Sequence, residues 1–182
     1  MVLAPLIKKN LMKLLTTLFA AIAFLSCNEK QAEQKATAES AKTEVSDAET
    51  AQRAEIVTYA KGLLGTKYCY AGADPVKGFD CSGFVNYVFK NFGIELPRSS
   101  SGFEAVGPAL KPNDIKVGDV LVFYGYQDKN RIGHVGIVCE ANGMKSKFIH
   151  SSSGKEMAVM ISDLGSDQYT KRFYKAVDVI GI

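Results

Sequence analysis

Residues 28–50 read NEKQAEQKATAESAKTEVSDAET, with no aromatic residue and a single large aliphatic, Val45. Such a stretch cannot bury enough apolar surface to offset the entropy of ordering it. It reads as a tether. As a flexible coil its ends lie ~25 Å apart, and fully extended it reaches ~75–80 Å. Whatever core the chain builds must therefore come from residues 51–182, which is one domain's worth of sequence and enough for a real interior.

The segment ahead of the tether is a targeting signal in composition. Lys8, Lys9 and Lys13 supply positive charge, and LLTTLFAAIAFLS follows as an apolar run too short to span a bilayer as a mature helix. The run stops at Ser26-Cys27. This junction resembles the bacterial lipoprotein processing site, which predicts a signal peptide over 1–26, a lipidated Cys27, and an exported domain anchored to a membrane. An ordinary secretory peptide cut near the same place is the alternative, and Met12 is a second possible start. The net charge of +3 equals the three signal lysines, so the rest is near neutral. No run of Lys or Arg marks a nucleic-acid surface, and no such partner is expected.

Within 51–182 the apolar periodicity changes once. Ile56, Val57, Ala60, Leu63 and Leu64 recur at helical spacing up to Gly65. Phe84, Val85, Val88, Phe89 and Phe92 do so again after Cys81, with Asp80 placed to cap and Gly93 to end the helix. From there the sequence turns to short β-type runs: VLVFYG, HVGIVC, KFIHSS and RFYKAVDVI. Helices first and strands after predict an α+β domain with an antiparallel sheet, not a doubly wound parallel one.

Four cysteines are present: Cys27, Cys69, Cys81 and Cys139. If Cys27 carries lipid, an odd number remains in an exported domain, which points to a free thiol. Cys81 is the best placed to react. Exposed N–H groups and the helix dipole favour its thiolate, and such sites lower a thiol pKa from ~8.5 into the ~3.5–7.5 range. A nucleophilic cysteine needs a base, and the chain has two histidines, His134 and His150, at the ends of β-type runs. A cysteine, an imidazole and a third group to orient it make the generalised triad. Three other readings stay open on these residues alone. They are a zinc site from Cys81, His134, His150 and Cys139, a Cys69–Cys81 disulfide, and plain packing.

In order along the chain, TKYCYAGADP, GFDCSGFVNYVFKNFGIELPRSS, VGDVLVFYG, IGHVGIV and KFIHSSS resemble the signatures of the NlpC/p-sixty cell-wall cysteine peptidases. The likeness covers about 51–180. It implies a papain-like α+β fold, with N-terminal helices packed on an antiparallel sheet and the nucleophile at a helix N-terminus. It also implies hydrolysis of peptide bonds in peptidoglycan stem peptides, most often between D-γ-glutamate and a diamino acid, with no cofactor or metal. By the same resemblance Cys81 matches the nucleophile, His134 the base and His150 the residue orienting it. Tyr68, Asp80 and Ser82 match a subsite for the stem peptide. Arg98 in LPRSS would bind a substrate carboxylate or brace the loop. Ala71, Tyr70 and Phe103 depart from the usual pattern and bear on subsite shape. An amidase acting at N-acetylmuramoyl-L-alanine, or a non-catalytic wall-peptide-binding lipoprotein, are the alternatives on the same fold.

Overall fold

The structure, a computed structural model, describes residues 46–181; the signal segment, Cys27 and most of the tether lie outside the described residues. The compact unit starts at Glu49. Among the described residues helix α1 runs through 46–61, so residues 46–50, which composition assigned to the tether, are helical. A short hairpin follows, β1 (Ala73–Asp74) and β2 (Gly78–Phe79), then helix α2 (Cys81–Lys90). Five strands form the main sheet: β3 (Val120–Tyr124), β4 (Ile132–Glu140), β5 (Lys147–Ser151), β6 (Val159–Asp163) and β7 (Phe173–Val177). A one-turn helix, α3 (Asp167–Thr170), joins β6 to β7. The sheet order is β6-β5-β4-β3-β7 with every pair antiparallel. This is the α+β arrangement expected from the sequence.

The strands bury both faces, which is why VLVF runs apolar without alternation. Val120, Val122, Val135, Ile137, Ile149 and Val177 face α1 and α2, where Ile56, Val57, Ala60, Phe84, Val85, Val88 and Phe89 complete one core. Leu121, Phe123, Val138, Phe148 and Ala176 point the other way and pack with Ile115, Leu164 and Tyr169 of α3. Strand period two assigns each residue to its face.

Strand β6 and α3 were not anticipated. VMISD is short and half polar, and DQYT is too brief for a periodic signal. Both are held by tertiary pairing: β6 runs along β5 from Lys147↔Asp163 to Ser151↔Val159. Strand β4 also begins two residues before His134 rather than at it.

Candidate active site

Helix α2 starts as its sequence dictates. Asp80 is the N-cap, and its Oδ1 accepts the Gly83 N–H at 2.6 Å. Gly83 is required for a close approach: a Cβ there would sit 2.1 Å from the Gly72 carbonyl oxygen. The Arg98 fork closes on the same carboxylate, Nη1 to Oδ1 at 3.0 Å and Nη2 to Oδ2 at 2.9 Å, and Nη2 also donates to Gly72 O at 3.1 Å. Ser82 donates to Asp80 Oδ1 at 3.2 Å and is buried. The Arg98 side chain thus braces the cysteine loop. The Ser82 hydroxyl belongs to the cap, and its N–H points at the Cys81 sulfur. Burial first, and then the neighbouring Cys81 and Asp80, raise the Tyr68 phenol pKa.

The Cys81 thiol is half-buried and contacts the main chain around His134. Its Sγ donates to Gly133 O at 4.0 Å, and the Val135 N–H favours the ionised sulfur. The thiol approaches β4 from the α2 side. The His134 ring packs beside Phe123 and Tyr169. The two side chains are neighbours through the backbone and share no direct hydrogen bond.

Behind His134 runs a polar relay. His134 Nε2 and His150 Nδ1 are 2.9 Å apart with rings nearly perpendicular, at 89°. His150 Nε2 lies 2.9 Å from Ser162 Oγ and 3.3 Å from Tyr169 OH. His150 is fully buried, stacked on Phe148 and edge-on to Tyr169. Gly136 makes room for it, since a Cβ at Gly136 would come within 3.0 Å of His150 Cβ and 2.6 Å of Phe148. Ser162 pairs across from Phe148, so it shares a face with His150 at the diagonal position. Ser162 and Tyr169 were missed in the sequence because nothing marks them until β6 and α3 are placed.

The relay determines which tautomers are useful. If His150 Nε2–H donates to the hydroxyls, its Nδ1 accepts from His134 Nε2–H, and His134 Nδ1 is left free as a base. The opposite polarity would protonate Nδ1 and remove the base.

Electrostatics corrects one expectation. Burial first, and then the Asp80 carboxylate, push the Cys81 thiol up to about 11, against the Val135, Ser82 and Cys81 N–H groups that pull it down. Burial thus opposes the thiolate that the helix terminus favours. Burial, His150 and the Arg172 guanidinium hold His134 well below the ordinary imidazole range, and burial puts His150 at about 4. The resting state is a neutral thiol beside a neutral imidazole.

That state has a consequence for stability. Unfolding restores the usual imidazole pKa of ~6.5, so the unfolded chain takes up protons that the fold refuses. Stability contributed by neutral His150 is fully present above ~6.5 and is lost as pH falls toward 4. The loss amounts to about 3 kcal/mol for His150 alone. Urea unfolding of wild type and His150→Asn should show a stability gap that narrows by that order between pH 7 and 4. A gap that stays constant across this range would contradict the buried neutral state.

The zinc alternative does not match this arrangement. Cys139 lies in the helix-side core, and both His150 nitrogens and Nε2 of His134 are engaged within the relay. Among the described residues, no cluster of three or more His, Cys, Asp or Glu side chains could hold a metal. Cys69, Cys81 and Cys139 are free thiols, so the Cys69–Cys81 disulfide is not formed.

Residues 65–178 match the model of the NlpC/P60 family. The chain is 35% identical over 136 residues to a γ-DL-glutamyl hydrolase of Bacillus subtilis, an alignment covering 73% of this chain and 31% of that protein. It is 32% identical over 117 residues to an Escherichia coli protein named murein DD-endopeptidase MepS/murein LD-carboxypeptidase, covering 64% of this chain and 57% of that one. A crystal structure of an NlpC/P60 family protein from Bacillus cereus superposes with a TM-score of 0.61 at 30% identity, covering 69% of this chain and 39% of that one. The chain spans about a third of the length of the first curated relatives it matches.

Proposed function

The chain belongs to the NlpC/P60 family, and we propose that it is a cysteine endopeptidase acting on peptidoglycan stem peptides, at the bond between D-γ-glutamate and a diamino acid. One observation carries the reading: a helix-terminal thiol against the backbone of His134, whose ring is fixed by the His150–Ser162–Tyr169 relay. The names of the γ-glutamyl and murein-cleaving relatives support the substrate class.

In this mechanism substrate binding brings the thiol and His134 Nδ1 within hydrogen-bond reach. The sulfur attacks the scissile carbonyl as its proton passes to Nδ1. The imidazolium keeps Nε2–H on His150. The Cys81 N–H at the start of α2 donates to the oxyanion. Collapse breaks the C–N bond, and His134 returns the proton to the departing amine, leaving a thioester. His134 then takes a proton from water, which releases the acid and regenerates the thiol. Because the thiol rests neutral, nucleophile and base act together, as in a serine-type triad. On the acyl side, Tyr68 and the free lone pairs of Asp80, held by Arg98, receive the stem peptide.

We also propose the organisation read from composition. Residues 1–26 are a signal peptide, Cys27 carries lipid, the segment after it is a tether, and 51–182 is the catalytic domain facing the periplasm or wall. The soluble domain should release dipeptide from purified muropeptides, read by mass spectrometry, while Cys81→Ala stays silent. Full-length protein should take up a fatty-acid label in cells that Cys27→Ser removes. Intact muropeptides, or an unlabelled wild type, would refute the respective part.

A further inference from the structure

The cleft that His134 lines contains a buried positive charge without a counter-ion. The cleft has a volume of ≈ 660 Å³ and lies between the loop after β3, the loop after β5 and the end of α3. Arg172 is on its wall, 8% exposed. Its Nε donates to Gln168 O at 3.1 Å and its Nη1 to Tyr124 O at 3.2 Å. The guanidinium lies 5.3 Å from the Tyr169 ring centroid and 5.7 Å from that of Tyr126. Among the described residues no carboxylate pairs with it. Asp128 shares the cleft wall, but it is exposed and accepts the Asn130 N–H at 2.9 Å instead. Nη2 makes neither carbonyl bond. Since no side-chain nitrogen in the described residues is both buried and unpartnered, Nη2 opens to solvent on a residue that lines the cleft.

A guanidinium stays charged, and a buried charge without a counter-charge is costly even where carbonyls and aromatic faces offset part of it. A protein that keeps one beside its base has a use for an anion there. We infer that Arg172 is the anchor of a leaving-group subsite, and that the favoured substrate carries a free carboxylate on the residue that departs as the amine. This rests on the proposed peptidase reading. The side follows from proton traffic: His134 protonates the departing amine and lines this same cleft, whereas the Asp80–Arg98 cluster lies at the helix cap. A carboxylate fits the guanidinium better than any neutral group, through charge-assisted hydrogen bonds. It would also offset the Arg172 field that opposes protonation of His134, so its binding favours the proton transfer that follows.

The test uses L-Ala-γ-D-Glu-L-Lys with a free C-terminal carboxylate beside its C-terminal carboxamide. For wild type, kcat/KM should favour the carboxylate by about 10–100-fold, the worth of one charged hydrogen bond. Arg172→Gln should bring the ratio near one, and Arg172→Lys should keep part of it. The ratio is taken within one preparation, so partial unfolding cancels. A wild-type ratio near one, or a ratio unchanged in Arg172→Gln, overturns the subsite. If wild type cleaves neither peptide, the peptidase reading fails separately. Calorimetric binding to Cys81→Ala, with and without Arg172→Gln, then decides the subsite. The same preference, lost with Arg172, supports it; equal binding or none overturns it.

Discussion

His134→Ala should lower kcat/KM on muropeptides by about 10²–10⁴-fold, the usual worth of a general acid–base. The loss should exceed that of either His150 variant. His150 does not touch the reacting atoms in the proposed mechanism. In that mechanism it holds the His134 tautomer by accepting its Nε2–H across the 2.9 Å contact. The carboxamide oxygen of His150→Asn supplies that acceptor, while its NH₂ faces Ser162 and Tyr169. His150→Asn should therefore retain substantial activity. His150→Ala should lose more, because it leaves His134 unoriented and opens a cavity among Phe148, Tyr169 and His134. Assays belong well below each variant's melting temperature, so that this cavity is not read as chemistry. A structural zinc site predicts comparable losses in all three variants, together with metal release. That pattern, with zinc bound to the wild type, would overturn the triad.

Much of this site was legible because it depends on local chemistry. Asp80 before an apolar helical repeat reads as a cap, and it is one. Cys81 stands at that helix start, and the two histidines on later β-runs come within hydrogen-bond distance of each other, as their positions in the sequence suggested. What the sequence withheld depends on register and burial. Gly136 acquires meaning only when His150 is beside it. Ser162 and Tyr169 join the relay through β6 and α3, elements with no periodic signal of their own. The state of the thiol also inverted. A helix N-terminus was expected to favour the anion, but burial and the Asp80 carboxylate outweigh the N–H donors once the fold encloses them. Arg98 illustrates the reverse. Residue type left two roles open for it, and its bidentate grip on Asp80 became visible only in the fold.

One further residue carried a signal that composition alone passed over. Arg53 sits three, four and seven positions before Ile56, Val57 and Ala60, on the apolar stripe of α1. A charge on a buried stripe needs partners, and it has them from three parts of the chain. Nε donates to Glu49 at 2.8 Å, Nη1 to Asp119 at 2.9 Å and to Val117 O at 3.2 Å, and Nη2 to Asp178. Arg53 is 5% exposed and Asp119 fully buried. Burial already pushes the Asp119 carboxyl up to about 6, with Arg53 and the Lys116 N–H opposing it. Arg53→Ala removes the counter-charge and leaves Asp119 with one main-chain donor at 2.7 Å. Breaking a buried pair in this way costs about 3–5 kcal/mol, which for a domain of this size lowers Tm by about 10–20 °C. The double change Arg53→Met with Asp119→Leu should recover much of that loss, because it removes both desolvated charges together. Thermal melts of the three proteins decide the matter. An Arg53→Ala melt within about 2 °C of wild type would show that the cluster is not the clasp joining α1, the start of β3 and the C-terminal segment. A double variant no better than Arg53→Ala would place the loss in packing of the arginine stem and not in the stranded charge.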